Sequence, residues 1–82
     1  MNNQLDKEAS KLLDLISNNV AKLRKEKGFS QLQLATEMGY SSASYFGRME
    51  VRKDGEHFNI TQLYKISRIL NIPIVLFFES QE

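Results

Sequence analysis

Cysteine and tryptophan are absent from this 82-residue chain, and proline and histidine each occur once. Without cysteine there is neither a disulfide nor a thiolate metal site, so stability rests on packing alone, or on packing helped by a partner subunit. The lone His57 has no second histidine at metal-ligand spacing and reads as a solvated loop residue. No apolar run approaches the roughly 18 to 20 residues that cross a bilayer, and no charged-then-apolar leader opens the chain. The expected location is therefore cytoplasmic, with no membrane partner. Net charge is close to nil: 11 lysines and arginines against 10 aspartates and glutamates leave +1. Paired carboxylates, a nucleophile with its base, and a metal cluster are all missing as recognisable patterns. A small hydrolase is thus the least supported class, and no cofactor or small-molecule ligand is evident. At this length the whole chain, residues 1–82, is expected to be one domain with little core to spare for a substrate cavity.

Helical periodicity fills most of the sequence. Leu5, Ala9, Leu12, Leu13, Ile16, Val20 and Leu23 follow one another at intervals of 4, 3, 1, 3, 4 and 3, a stripe that keeps its phase up to Gly28. Two readings of it are open: one helix of more than 20 residues, or a break at Ser17, Asn18 and Asn19. The unbroken phase favours the single helix. Ser30 and Gln33 make a capping box, with Phe29 and Leu34 placed for the accompanying hydrophobic staple. Leu34, Ala35 and Met38 share a face, and Gly39 ends the helix. Ser41 or Ser42 can cap the next helix, whose Phe46 and Met49 point inward. Asn59 and Gln62 repeat the capping box, and Phe58 and Leu63 the staple. Ile60, Leu63, Tyr64, Ile66, Ile69 and Leu70 are the expected buried side of the helix that follows. Asn71 can stop that helix, and Pro73 suits the first turn of a last short one carrying Ile74, Leu76 and Phe77. IPIVLFF alone could pass as a strand. Between Glu50 and Asn59, Asp54 and Gly55 signal a turn flanked by Val51 and Phe58, compatible with a short hairpin-like loop.

Charge is unevenly spread. Residues 16 to 28 hold Lys22, Arg24, Lys25 and Lys27 against Glu26, residues 59 to 72 hold Lys65 and Arg68 without an acid, and acids collect at the ends in Asp6, Glu8, Asp14, Glu79 and Glu82. Each cation taken singly is explained by a solvated helix face. Together, a basic middle and acidic ends suit docking on phosphate through one side.

The stretch FSQLQLATEMGYSSASYFGRME, with LRKEKG before it and NITQLYKISRILNIPIVLFF after it, resembles the Cro/repressor-type (Xre-like) helix-turn-helix family of bacterial and phage DNA-binding regulators. The resemblance covers roughly residues 16 to 78. It implies an all-α, five-helix, lambda-repressor-like DNA-binding domain, here with an N-terminally extended first helix. Its parts are a helical extension over 1–15, the helix-turn-helix over 30–50 and C-terminal helices over 59–78. Double-stranded DNA is the implied partner, read in the major groove by the helix from about Ser42 to Met49. The implied activity is that of a transcriptional repressor associated with the nucleoid.

Carried over by position, Gln31 opens the first motif helix where the family commonly meets the DNA backbone and a nearby base. Ser42, Ala43, Ser44 and Tyr45 fall in the leading half of the reading helix, with Gly47 and Arg48 on its outer face. Arg48 could grip phosphate or guanine. Arg52 and Lys53 stand where the family's loop runs along a DNA strand, and a pair of exposed loop cations would equally need no function. The interval from Gly39 to Glu50 is one residue longer than usual, so Tyr45 and Phe46 compete for the inward place, and every outward assignment shifts with the choice. The family also implies a homodimer on two half-sites. Leu5, Leu12 and Phe78 are the interface candidates, since they lie beyond what a minimal domain needs, although the stripes they belong to also cover the core. The competing reading of the same fold is a protein-interaction adaptor or an antitoxin-like subunit.

Overall fold

The computed structural model of the protein describes residues 3–80. Glu82 and the first two residues of the expected extension lie outside the described residues. Four α-helices follow in order, α1 (Asn3–Glu26), α2 (Gln31–Glu37), α3 (Ser44–Val51) and α4 (Ile60–Leu70). Two 3-10 segments, Lys53–Gly55 and Ile74–Phe78, complete the order, and no strand occurs among the described residues. The expected fifth helix is therefore one short 3-10 segment, entered from Pro73 in extended conformation.

The first helix runs unbroken through Ser17, Asn18 and Asn19. At about 1.5 Å per residue its 24 residues make a rod of roughly 36 Å, which sets the 38 Å long dimension of the molecule. Its stripe serves two environments. Ile16, Val20 and Leu23 are buried in the core, whereas residues 3 to 12 are exposed. The polar triplet is not a break because its two inward members have acceptors waiting. Ser17 Oγ donates to the Met49 carbonyl at 3.1 Å. Asn19 Nδ2 donates to the carbonyls of Phe77 (2.9 Å), Glu79 (2.8 Å) and Leu76 (3.4 Å), latching the C-terminal 3-10 segment onto α1.

Both capping boxes form as the sequence implies. Ser30 Oγ accepts from Gln33 N at 3.0 Å and Gln33 Oε1 from Ser30 N at 2.8 Å, and Asn59 and Gln62 exchange the same pair of bonds. Each such cap stabilises its helix by about 1 kcal/mol. Gly39 takes φ 94, the left-handed turn that ends α2, and Asn71 ends α4 with φ 57.

The core joins all four helices and the last 3-10 segment through Val20, Leu34, Phe46, Ile66, Leu70 and Phe77, all fully or almost fully buried. Burying each large side chain contributes about 1.5–3 kcal/mol before entropy is charged. On α4 the expected buried set needs correction: Leu63, Ile66 and Leu70 are buried and Ile69 half-buried, but Ile60 and Tyr64 are exposed. Gln62 and Ser67 take the inward places instead, because each has an internal partner, tyrosine hydroxyls for Gln62 and the Tyr64 carbonyl for Ser67.

Candidate nucleic-acid interface

Helices α2 and α3 stand on either side of the Gly39 turn, and what pins α3 from behind decides what it can show in front. Phe46 and Met49 face the core, as their spacing requires, and Phe46 packs on Phe58 with ring centroids 5.3 Å apart. Glu50, one residue further on, is buried as well. Its carboxylate accepts from Arg24 Nε at 2.7 Å, Arg24 Nη2 at 3.1 Å and Gln31 Nε2 at 2.9 Å. Arg24 Nη1 meanwhile donates to the Phe29 carbonyl at 2.7 Å, tying the loop before α2 into the same network. Arg24 thus leaves the basic surface cluster in which its charge would place it. Lys22, Lys25 and Lys27 remain exposed there, and Lys65 and Arg68 are exposed on α4.

The register of α3 differs from the expected one. Its first residue is Ser44, its N-cap is Ala43, and no side chain caps it. Ser41 and Ser42 are exposed turn residues. The reason lies in the backbone: Ala43 already has helical angles and its carbonyl accepts the Gly47 N–H at 2.9 Å, so the cap falls past both serines. Ser42 and Ala43 consequently precede the helix rather than form its leading half.

Tyr45 and Phe46 divide the inward place unequally. Phe46 takes the core, and Tyr45 lies half-buried along the flank of the helix. The Tyr45 hydroxyl accepts from Gln62 Nε2 at 2.8 Å, the Tyr40 hydroxyl accepts from the same amide at 3.1 Å, and the two rings meet edge-on with centroids 5.2 Å apart. The turn, the reading helix and the start of α4 are thereby joined at one buried amide.

The front flank carries Ser44, Gly47 and Arg48. Gly47 is there for Gln31: a Cβ at that position would stand 3.3 Å from Gln31 Oε1, tighter than ordinary contact, so the bare glycine lets the Gln31 amide lie across α3 on its way to Glu50. Arg48 is half-exposed, its Cζ 5.6 Å from the centre of the Tyr45 ring and its Nε 3.2 Å from Glu56 Oε2. Beyond α3 the chain makes a 3-10 turn, not a hairpin-like loop, and three residues of positive φ, Arg52, Asp54 and Gly55, reverse its direction. Lys53 is exposed on it.

The phosphate contact that the resemblance implies for Arg52 is pre-empted by internal acceptors. Its Nη1 donates to Asp14 Oδ1 (2.9 Å), the Ser10 carbonyl (3.0 Å) and Ser10 Oγ (3.2 Å), and Nη2 and Nε donate to the Gly55 and Glu56 carbonyls. Arg52 thus straps the loop to the middle of α1. No group of acids and histidines able to hold a metal occurs among the described residues.

A helix-turn-helix family model matches residues 20–77, more than half of the chain, with all of α2, α3 and α4 inside the match. The chain belongs to the Cro/C1-type (Xre-like) helix-turn-helix family. Comparison with curated proteins and with solved structures gave no match. In this Xre-like protein, of a family of DNA-binding regulators, the fold sets Gln31 against Gly47, with Ser44 and Arg48 on the same helix. It does not bring Arg52 there. The Arg24–Glu50–Gln31 network and the Gln62–Tyr45 link were missed, because their members lie 17 to 26 positions apart and follow no local spacing. No described helix is long and apolar enough to cross a membrane.

Proposed function

We propose that this Xre-like protein is a sequence-specific double-stranded DNA-binding transcription regulator, a cytoplasmic homodimeric repressor that blocks promoter DNA by occupying it. One observation carries the reading: α3 is fixed from behind by Phe46, Met49 and Glu50, while Ser44, Gly47 and Arg48 stand on the opposite flank. A major groove about 12 Å wide admits one such helix, and its base edges differ for all four pair orientations. In this reading the whole chain acts as one domain with a helical extension. Gln31 meets the DNA backbone beside α3, Ser42, Ala43 and Ser44 border the groove from the turn and the helix start, and Lys53 takes a phosphate. Tyr45 and Arg52 act from behind, as supports.

The adaptor or antitoxin-like alternative draws support from electrostatics, since Arg48 is the single cation between Gln31 and Val51, against Glu37 and Glu50. Salt separates the two. Duplexes selected from a random pool are expected to bind with log K falling linearly in log salt by about 0.9 per phosphate neutralised. Lys53→Ala is expected to weaken all duplexes alike and reduce that slope by about 1; Gln31→Ala should weaken binding as well. Fluorescence anisotropy across a salt series measures both, and salt-independent or undetectable binding would hand the fold to the adaptor reading.

Dimerisation is assigned to the extension and the C-terminal segment. Leu5 (59% exposed), Leu12 (46%) and Phe78 (37%) are large apolar side chains open to solvent. Leu5, Ala9 and Leu12 continue, at heptad-like spacing, the stripe that is core from Ile16 onward. Two half-sites about 34 Å apart would then be read by one symmetric pair. Light scattering after size exclusion, in the tens of micromolar, is expected to give the dimer mass for the native chain and the monomer mass for Leu5→Lys/Leu12→Lys. A native monomer both free and on DNA would remove this assignment.

A further inference from the structure

We propose that Arg48 is a specificity-determining residue that reads a guanine edge, held as a fixed fork by Tyr45 and Glu56, and does not act as a phosphate grip; this rests on the duplex-binding reading above. A guanidinium offers five N–H donors in one plane. Here the Nε–H is taken by Glu56 Oε2 at 3.2 Å, and the Tyr45 ring lies under the group with its centre 5.6 Å from Cζ. The terminal pair, Nη1 and Nη2, has no partner among the described residues. Two parallel donors on one edge are what guanine O6 and N7 accept in the major groove.

The support under the fork is itself fixed. Tyr45 is held through its hydroxyl by Gln62, and Gln62 is locked by the Asn59 capping box at the start of α4. Glu56 supplies the discrimination. A phosphate brought to Arg48 would also approach the Glu56 carboxylate, and like charges at that range repel; a guanine edge carries no full charge and meets no such penalty. The neighbours on the same flank, Ser44 and Gly47, have short side chains or none, so sequence reading concentrates at the one position Arg48 reaches.

The test uses the full chain and duplexes enriched from a random pool, with each guanine of the half-site replaced in turn by 7-deazaguanine, which keeps base pairing but lacks the N7 acceptor. One position per half-site is expected to lose affinity by roughly 5- to 150-fold. Arg48→Lys is expected to keep the salt slope and lose that position's effect, showing that fork geometry and not charge is read. Glu56→Gln is expected to raise affinity for duplexes lacking the guanine more than for those containing it. An Arg48→Ala variant, folded by circular dichroism, that weakens every duplex by the same factor and lowers the salt slope by about 1 would make Arg48 a phosphate contact and overturn the proposal. Wild-type binding with no sensitive guanine overturns it alone; no duplex binding at any salt overturns the underlying reading too.

Discussion

Glu50→Ala is expected to lower the unfolding free energy by about 3–5 kcal/mol, the cost of removing one partner from a buried ion pair. For a chain of this length that is a fall in Tm on the order of 20 °C. Arg24 is 5% exposed and Glu50 8%, so neither charge can fall back on water when its partner goes. With the carboxylate removed, the Arg24 guanidinium keeps one acceptor, the Phe29 carbonyl, and Gln31 Nε2 loses its own. The expected penalty is that of a stranded charge, not the worth of the attraction. Replacing both residues by apolar ones of similar volume, Arg24→Met with Glu50→Leu, is therefore expected to recover most of the loss. Thermal and urea unfolding followed by circular dichroism measure both variants. A single Glu50→Ala variant within 1 kcal/mol of the native chain would mean that the pair is hydrated and does not organise the motif.

That pair also marks where the sequence ceases to be legible. The capping boxes at Ser30 and Asn59, the Gly39 turn, the Asn71 stop and the unbroken first helix could all be read, because each follows from residues within one or two turns of each other. Arg24 and Glu50 could not be matched: along the chain they are one cation in a basic run and one acid after a methionine. Their burial follows from α1 crossing α3, which no local spacing announces. The start of α3 was misplaced for a related reason. Ser41 and Ser42 supply capping chemistry just before Ala43, but tertiary anchors put the helix start beyond both: Phe46 on Phe58, and Tyr45 on the Gln62 amide. Arg52 reads as a loop cation until the fold brings Ser10 and Asp14 beneath it. On α4, hydrophobicity nominated Ile60 and Tyr64 for the core, and hydrogen-bonding capacity gave the places to Gln62 and Ser67. Along the α2–α3 motif, the positions could be read from the sequence and their orientation could not.

Orientation turns on the neighbouring rings of Tyr45 and Phe46, and their truncation should separate them sharply. Phe46→Ala is expected to cost about 3–5 kcal/mol, since a fully enclosed ring leaves a cavity that the surrounding core cannot fill. Phe58, whose tilted ring packs on it, immediately precedes the Asn59 cap, so the damage reaches the support of α4 as well as α3. Urea unfolding should show a lower midpoint at an unchanged slope, the signature of lost stability without a changed unfolded state. Tyr45→Phe keeps the ring beneath Arg48 and removes only the hydroxyl that Gln62 contacts, leaving that amide its bond to Tyr40. A loss of about 1 kcal/mol is expected there, the net worth of one hydrogen bond. If Phe46→Ala proved the milder of the two, the helix would be turned by one residue, Tyr45 would be the inward ring, and Arg48 would no longer stand over it at the front of the motif.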